Sequence, residues 1–185
     1  MKVSVHEMQP NDPMPGTYNE GKDFKSIRGG STIIITGEKG IGKTTLLRKV
    51  IERSKRRFCG IISERFERGY YVEDLKTKEK IMLCSEDPIG FKFRRFYFDP
   101  EALLFIKKSL KRKRMGDVLV YDEIGYLEVE KKIRIWDDIK EPAVLIVRKD
   151  LVDVISSEFD GEVFEVKEKN REQLEKVILE RIRKW

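Results

Sequence analysis

The sequence contains one histidine, His6, and two cysteines, Cys59 and Cys84, among its 185 residues. A single histidine excludes a histidine-based metal cluster or catalytic triad within this chain. The two cysteines give neither a zinc-binding spacing nor a disulfide framework. Cys59 lies in an apolar run, which is typical of a small core residue. Chemistry based on histidine or on a cysteine-bound metal is therefore not expected.

Side-chain amides are also scarce, whereas charged residues make up 39% of the chain. The amides are Gln9, Asn11, Asn19, Asn170 and Gln173. Many Lys, Glu and Arg residues with few amides are typical of heat-adapted proteins, whose surfaces carry networks of ion pairs. The composition therefore suggests a thermophilic source.

Long apolar runs are missing as well. No stretch approaches the roughly 20 apolar residues of a membrane span, and no apolar signal segment follows Met1 and Lys2. We therefore expect a cytoplasmic protein that does not enter a membrane. Its length suits one sizeable core and is short for two typical domains.

The segment Gly37–Thr44 matches the phosphate-loop pattern of Gly, four residues, Gly-Lys-Thr in full. Glycines let backbone N–H groups wrap around phosphate oxygens, because bulkier side chains would stand in the way. Lys43 is expected to reach the β- and γ-phosphates, and the Thr44 hydroxyl to bind Mg²⁺. The predicted nucleotide-binding residues of the loop are Gly37, Glu38, Lys39, Gly40, Ile41, Gly42, Lys43, Thr44 and Thr45.

The flanking residues supply the strand and the helix that this motif requires. The β-branched run Thr32–Thr36 predicts a buried strand. After the loop, Leu46, Leu47, Val50 and Ile51 fall on one side of a 3.6-residue repeat, which predicts a helix packed on a sheet. Bound phosphates then lie at the helix N-terminus. This context favours a phosphate site over a glycine-rich turn that binds nothing.

A second apolar strand, 118–121, leads into Asp122 and Glu123. Asp122 is expected to hold Mg²⁺ through a water molecule, opposite Thr44. Glu123 can orient and polarise a water for in-line attack on the γ-phosphate. Nucleotide kinases must exclude water and generally lack this adjacent glutamate. The pair therefore favours hydrolysis over the alternative of a nucleotide or nucleoside kinase, and over two solvated acids without a function.

Apolar runs alternate with amphipathic stretches along the rest of the chain. Predicted helices follow the loop to about 58, begin at Asp99 and Pro100, cover 128–136 and 150–157, and begin again at Asn170, an N-cap with Gln173 three residues on. Predicted strands are 32–36, 58–63, 117–121, 143–147 and 163–166, with hairpins over 70–84 and 91–98 and a charged turn at 64–69. This alternation predicts a three-layer α/β domain over 31–185, with a mostly parallel sheet covered on both faces. Residues 1–30 are predicted to form a loosely ordered extension.

Together these motifs resemble the small THEP-type nucleoside triphosphatases, a family of P-loop NTPases with an added catalytic glutamate. The resemblance covers about residues 32–183. The segments that carry it are 37–46, 60–61 with Glu64, 68–70, 89–93, 122–125 with Glu128, and 170–171.

This resemblance implies a RecA-like sheet in which the strand ending at Asp122 lies beside the strand that precedes the phosphate loop. It implies slow, Mg²⁺-dependent hydrolysis of several nucleoside triphosphates, namely ATP, GTP and also CTP or UTP, to diphosphates. It also adds Asn170 and Arg171 to the nucleotide-binding residues, although Asn170 is adequately explained as a helix cap.

Arginines could complete the site. Arg148 follows the next strand in sequence, so it is expected to contact the γ-phosphate and to complete a catalytic set with Lys43 and Glu123. Arg65, Arg68 and Arg171 lie in loops expected near the same end. For each arginine the alternative is a surface salt bridge.

Two basic runs, 53–57 and 107–114, close predicted helices, and the net charge is +6. One interpretation is a nucleotide-gated nucleic-acid-binding module in which hydrolysis is a timer. Cations also favour the C-terminal end of a helix dipole. Both helices are predicted to run away from the end of the sheet that carries the phosphate loop, which we call the active end. We therefore expect these cations at the opposite pole, with nucleic acid as an open but not favoured partner.

Overall fold

A computed structural model describes residues 30–185, which contain nine strands and five α-helices. The strands are β1 Thr32–Thr36, β2 Arg57–Phe66, β3 Gly69–Asp74, β4 Lys80–Ser85, β5 Phe91–Phe93, β6 Phe96–Phe98, β7 Asp117–Ile124, β8 Ala143–Val147 and β9 Gly161–Glu165. The helices are α1 Lys43–Arg53, α2 Pro100–Lys111, α3 Tyr126–Val129, α4 Val152–Glu158 and α5 Arg171–Arg183. No helix among these residues is long and apolar enough to cross a membrane. The predicted N-terminal extension lies outside the described residues, except for its last residue.

All nine strands form one sheet in the order β5-β6-β4-β3-β2-β7-β8-β1-β9. Strands β2, β7, β8, β1 and β9 are parallel, and the remaining strands extend the sheet in antiparallel fashion beyond β2. The predicted α/β fold with added hairpins is confirmed. The expectation that β7 lies beside β1 is wrong, because β8 pairs with both of them.

Alternate residues of the parallel strands pack against helices on opposite faces of the sheet. On one face, Leu119 joins a core with Ile106 of α2. On the other, Val118 joins a core with Leu47 of α1 and Ile178 of α5. Both faces are therefore covered, which explains why the parallel strands read as continuous apolar runs.

The segment predicted as a helix over 128–136 is mostly not helical. Helix α3 ends at Val129, and a short 3₁₀ turn follows only at Trp136–Asp138. Lys131 adopts a positive φ of 58°, which breaks the helix. The intervening Ile133 and Ile135 are buried. Their apolar side chains gave the segment a helix-like pattern although they fill the core from an irregular loop.

Strand β2 is longer than predicted and includes part of the segment that was predicted as a charged turn. It continues to Phe66, so most of the turn predicted at 64–69 belongs to a β-hairpin with β3. Arg65 pairs with Tyr70 in this hairpin, Tyr70 with Cys84, and Cys84 with Phe98. Directly paired residues share one face of a sheet. These four side chains therefore form a row across β2, β3, β4 and β6.

Candidate active site

The phosphate loop joins β1 to α1 at the carboxyl end of the parallel strands. Gly40 and Gly42 have φ values of 80° and 97°, in the left-handed region that favours glycine. The Lys43 ammonium donates to the carbonyl oxygens of Gly37 and Glu38, both at 2.9 Å. Burial lowers the pKa of Lys43, while the charges of Glu123 and Asp122 raise it. The lysine is thus folded into the concave side of the loop, beside the two acids.

Thr44 and Asp122 meet as expected from the two motifs. The Thr44 hydroxyl lies 3.1 Å and 3.3 Å from the two carboxylate oxygens of Asp122. Ser63 of β2, which the sequence analysis did not single out, donates its N–H to Asp122 Oδ2 at 3.0 Å. Its hydroxyl donates to the Asp122 carbonyl at 3.1 Å. Two neighbouring strands therefore fix this carboxylate opposite the first turn of α1.

The Asp122 carboxylate suits a cation. It is buried, and burial raises its pKa to about 7, with the charge of Glu123 adding to the effect and the Ser63 N–H opposing it. A hydroxyl and a carboxylate are hard oxygen donors of the kind that Mg²⁺ prefers. The described residues contain no group of three or more His, Cys, Asp or Glu side chains that could hold a metal ion. A cation at this point would therefore take further ligands from phosphate and water.

Glu123 occupies a β-bulge at the end of β7. The β7–β8 register shifts between Tyr121 and Ile124, and Glu123 has a φ of 70°. Bulges re-aim side chains, and a positive φ in a non-glycine residue marks strain that is often found at functional sites. Desolvation by the surrounding protein raises the pKa of Glu123, while Lys43 and Arg148 act in the opposite direction. The bulge thus directs this carboxylate into the cavity beside Lys43.

These groups line one cavity of about 1010 Å³ at the mouth of the phosphate loop. The loop, Asp122, Glu123 and Arg148 contribute to its wall. A volume of this size accommodates a nucleotide. The cavity therefore combines a cradle for phosphates, a cation site and a carboxylate beyond them.

Comparison with known proteins identifies the family of this chain. The sequence model of a family described as NTPase matches residues 32–179, which is most of the chain. The chain belongs to this NTPase family. It is 30% identical to nucleoside-triphosphatase THEP1 of Metallosphaera sedula, with 83% of this chain and 87% of that protein covered. It is also 30% identical to nucleoside-triphosphatase THEP1 of Thermotoga maritima, with 80% and 92% covered.

A solved structure supports the assignment of this chain to the NTPase family. The crystal structure of THEP1 from the hyperthermophile Aquifex aeolicus superposes with a TM-score of 0.66 at 26% identity. The match covers 80% of this chain and 97% of that chain. The resemblance noted in the sequence is therefore confirmed, and the chain is a nucleoside-triphosphatase by class.

In this NTPase, a buried carboxylate holds the turn that follows Glu123. Glu128 accepts a hydrogen bond from the Tyr121 hydroxyl at 2.8 Å and another from the Gly125 N–H at 2.8 Å. Glu128 is only 5% exposed. Sequence patterns alone assign Glu128 no role beyond family resemblance, because its two partners come together only once β7 and α3 are folded. It ties the strand before Glu123 to the turn after it.

Arg148 reaches the cavity but is engaged by its neighbours. Its guanidinium lies 4.9 Å from the centre of the Tyr126 ring, and its Nε donates to Asp150 at 3.3 Å. The Tyr126 hydroxyl donates to the same carboxylate. The predicted position at the active end is therefore realised, with the guanidinium stacked on a ring and paired with an acid.

The other predicted arginines have different surroundings. Arg65 lines the cavity, whereas Arg68 is turned to a surface ion pair with Asp87 at 2.7 Å. Arg171 lies next to the phosphate loop, because one of its terminal nitrogens is 3.4 Å from the point where a Cβ on Gly42 would lie. Arg65 and Arg171 are thus near the site, and Arg68 has the surface role named as its alternative.

Asn170 precedes α5 as predicted, but its side chain does not cap the helix. Its amide nitrogen donates to the Glu165 carbonyl at 2.9 Å, and its oxygen accepts from the Lys167 N–H at 2.8 Å. The predicted capping interaction is wrong because this side chain folds back onto the preceding loop. Its contribution to nucleotide binding stays a prediction, as does that of Arg171.

The basic runs lie at the other pole, where acids partly neutralise them. Arg112 pairs with the buried Asp74 at 2.6 Å. Arg57 and Lys76 pair with the buried Asp117 at 3.1 Å and 2.6 Å. These contacts favour a structural role for several of the cations, and nucleic acid as a partner stays an open prediction.

Proposed function

We propose that this NTPase hydrolyses nucleoside triphosphates of several bases to diphosphate and phosphate, with Mg²⁺ as its cofactor. The observation that carries the proposal is the convergence of Thr44 and Asp122 next to Glu123 and Lys43. A cation site and a carboxylate at the mouth of a phosphate loop are what the attack of water on a γ-phosphate requires.

The residues would divide the work as follows. The loop N–H groups and Lys43 bind the phosphates, and Lys43 exchanges its contacts with two loop carbonyls for phosphate oxygens. Thr44 and Asp122 would hold Mg²⁺, which supplies charge neutralisation for the phosphates. Glu123 orients the attacking water and accepts its proton. Arg148 stabilises the charge that develops on the transferred phosphoryl group.

The same contacts support the proposal of broad base use and slow turnover. The loop and Lys43 address phosphates, which all nucleoside triphosphates share. Reorientation of Arg148 toward a phosphate would give up its Nε contact with Asp150 and its contact with the Tyr126 ring. The exchange of established contacts for new ones costs free energy, which contributes to a low rate.

Phosphate release tests this proposal. The native chain is assayed with ATP, GTP, CTP and UTP, with Mg²⁺ or with excess chelator, at elevated temperature. We expect release from several triphosphates that requires Mg²⁺. Glu123→Gln should bind nucleotide and lose release by about 10²-fold or more, because its side chain no longer accepts a proton.

Two arginine variants sharpen the assay. Arg148→Ala should lower kcat by about 10²-fold or more, whereas Arg68→Ala, whose partner is a surface acid, should not change it. Tight nucleotide binding by the native chain without phosphate release would contradict the hydrolase. Equal effects of the two arginine substitutions would contradict the role of Arg148.

A further inference from the structure

The cavity extends past Glu123 into a compartment that phosphates bound in the loop would not fill. We call it the γ-side chamber. Its apolar wall comes from the antiparallel part of the sheet and from α3. The residues of this wall are Tyr70, Leu83, Phe93, Phe96 and Leu127. The chamber is therefore an apolar, partly aromatic extension of a site whose other half is highly charged.

Two arginines at the edge of this chamber have no acidic partner. Arg65 is paired in register with Tyr70, so both side chains face the chamber. Arg95 lies over the Phe96 ring at 4.4 Å. In the described part of the chain, neither guanidinium is within ion-pair distance of a carboxylate, whereas Arg68 nearby is paired with Asp87. The chamber thus presents two positive charges that are available to an anion.

A phenol adds a hydrogen-bond donor to the same place. Burial raises the pKa of Tyr70, and the charge of Glu123 raises it further, while Arg65 and Arg95 act in the opposite direction. The Tyr70 hydroxyl therefore stays protonated at neutral pH. Its ring meets the Phe96 ring edge-on, with centroids 5.8 Å apart. Tyr70 and Phe96 form an aromatic corner that carries one hydroxyl group.

A triphosphate in the loop leaves this chamber free. The loop follows β1, whereas Arg65, Tyr70 and Phe96 lie on β2, β3 and β6. In the sheet, β8 and β7 separate β1 from β2. With the γ-phosphate between Lys43 and Glu123, as the proposed function requires, the chamber lies beyond that phosphate.

We propose that the γ-side chamber binds a second small molecule with a planar ring and an anionic group, of the nucleoside monophosphate class. Arg65 and Arg95 bind the anion, since arginine contacts phosphate through several N–H groups at once. The aromatic corner packs against the ring, and the Tyr70 hydroxyl donates a hydrogen bond. Such a ligand displaces water beside Glu123 and lowers phosphate release. The inference rests on the proposed function for the position of the γ-phosphate.

Calorimetric titration tests the chamber on the full chain. The loop is first saturated with Mg²⁺ and a non-hydrolysable ATP analogue, and AMP, GMP, CMP and UMP are then titrated separately. We expect binding of at least one monophosphate at one site per chain. Arg65→Ala and Arg95→Ala should each weaken it about tenfold or more, since each removes charge-assisted hydrogen bonds to the phosphate. The matched control Arg68→Ala should leave it unchanged.

Each result bears on one of the two proposals. Saturation with the analogue but no monophosphate binding would overturn the chamber, and so would binding that survives both substitutions. If the analogue itself fails to bind, the proposed function is contradicted. In that case, monophosphate binding that depends on Arg65 and Arg95 would still support the proposed role of the chamber, and its absence would overturn that role. Added monophosphate should also slow phosphate release by the native chain and not by Arg65→Ala.

Discussion

At the scale of single residues, Glu123 depends on contacts that hold its backbone in an unfavourable conformation. Its φ is 70°, and the turn after it is tied back to β7 through Glu128. Without that carboxylate, Gly125 N–H and the Tyr121 hydroxyl would lose their acceptor. A shift of about 1 Å at a catalytic group can lower the rate a hundredfold. We therefore expect Glu128 to act as a positioning residue for Glu123.

We expect Glu128→Ala to lower kcat by about ten- to hundredfold while KM stays nearly constant, because phosphate contacts of the loop are untouched. Glu128→Gln should recover part of the rate, since its carbonyl oxygen can still accept one hydrogen bond. Steady-state kinetics at several triphosphate concentrations separate kcat from KM.

The matched control for this prediction is Glu175→Ala. Glu175 is also buried, and it pairs with Arg53 far from Glu123 in the chain. It should lower the free energy of unfolding without lowering kcat in the folded protein. If both variants lose kcat alike, Glu128 acts only through stability.

The sequence was sufficient to predict which residues of the two motifs meet at the cavity. Local patterns place Lys43, Thr44, Asp122 and Glu123, because each belongs to a motif with fixed spacing. Ser63 was missed because its bonds to Asp122 depend on β2 lying beside β7. A strand pattern shows that a strand exists and does not name its neighbour in the sheet.

At the scale of elements, the sequence predicts that a strand exists better than it predicts the neighbours of that strand in the sheet. Buried strands such as β8 were predicted to the residue, since a short β-branched run bounded by loop residues has few alternatives. The position of β8 between β7 and β1 was not, because strand order is set by how the helices cross the sheet. The loop over 130–135 was misread because its isoleucines are buried without helical structure.

Strand β2 approaches β7 unusually closely at Gly60. Its φ is 99°, and a Cβ there would lie 2.0 Å from the Val120 carbonyl oxygen. Since that atom belongs to the backbone of a central strand, it cannot move aside cheaply. We expect Gly60→Ala to lower the free energy of unfolding by about 2 kcal/mol or more, from the left-handed conformation together with the clash.

Denaturant titration measures this loss, and Gly40→Ala is its matched control. Gly40 also has a positive φ, but nothing lies within 4 Å of its Cβ position. Gly40→Ala should therefore carry the conformational cost of about 1 kcal/mol without the clash. Equal losses in the two variants would show that the contact with Val120 is not what matters.

At the scale of the whole molecule, the two ends of the sheet carry different kinds of charge pairing. At the active end, Arg65 and Arg95 line a cavity without a carboxylate partner in residues 30–185. At the opposite pole, Asp117 accepts hydrogen bonds from two cationic side chains and one backbone N–H. The donors are Lys76 at 2.6 Å, Arg57 at 3.1 Å and the Arg114 N–H at 2.8 Å. These contacts hold the N-terminal ends of β2 and β7 together.

The Asp117 network makes stability depend on pH in a defined direction. Burial alone would raise the pKa of Asp117, but the Lys76 hydrogen bond and the Arg114 N–H outweigh it and lower the pKa. A carboxyl whose folded pKa is depressed stabilises the fold above its unfolded pKa of about 3.9, and this contribution disappears as the pH falls through the folded value. Above that range, Asp117→Asn should cost about 1–3 kcal/mol of unfolding free energy, because Lys76 and Arg57 lose a charged acceptor. Denaturant titrations of both proteins at pH 7 and pH 3 should show this difference shrinking at the lower pH, whereas a gap that stays constant would mean that the Asp117 charge does not stabilise the fold.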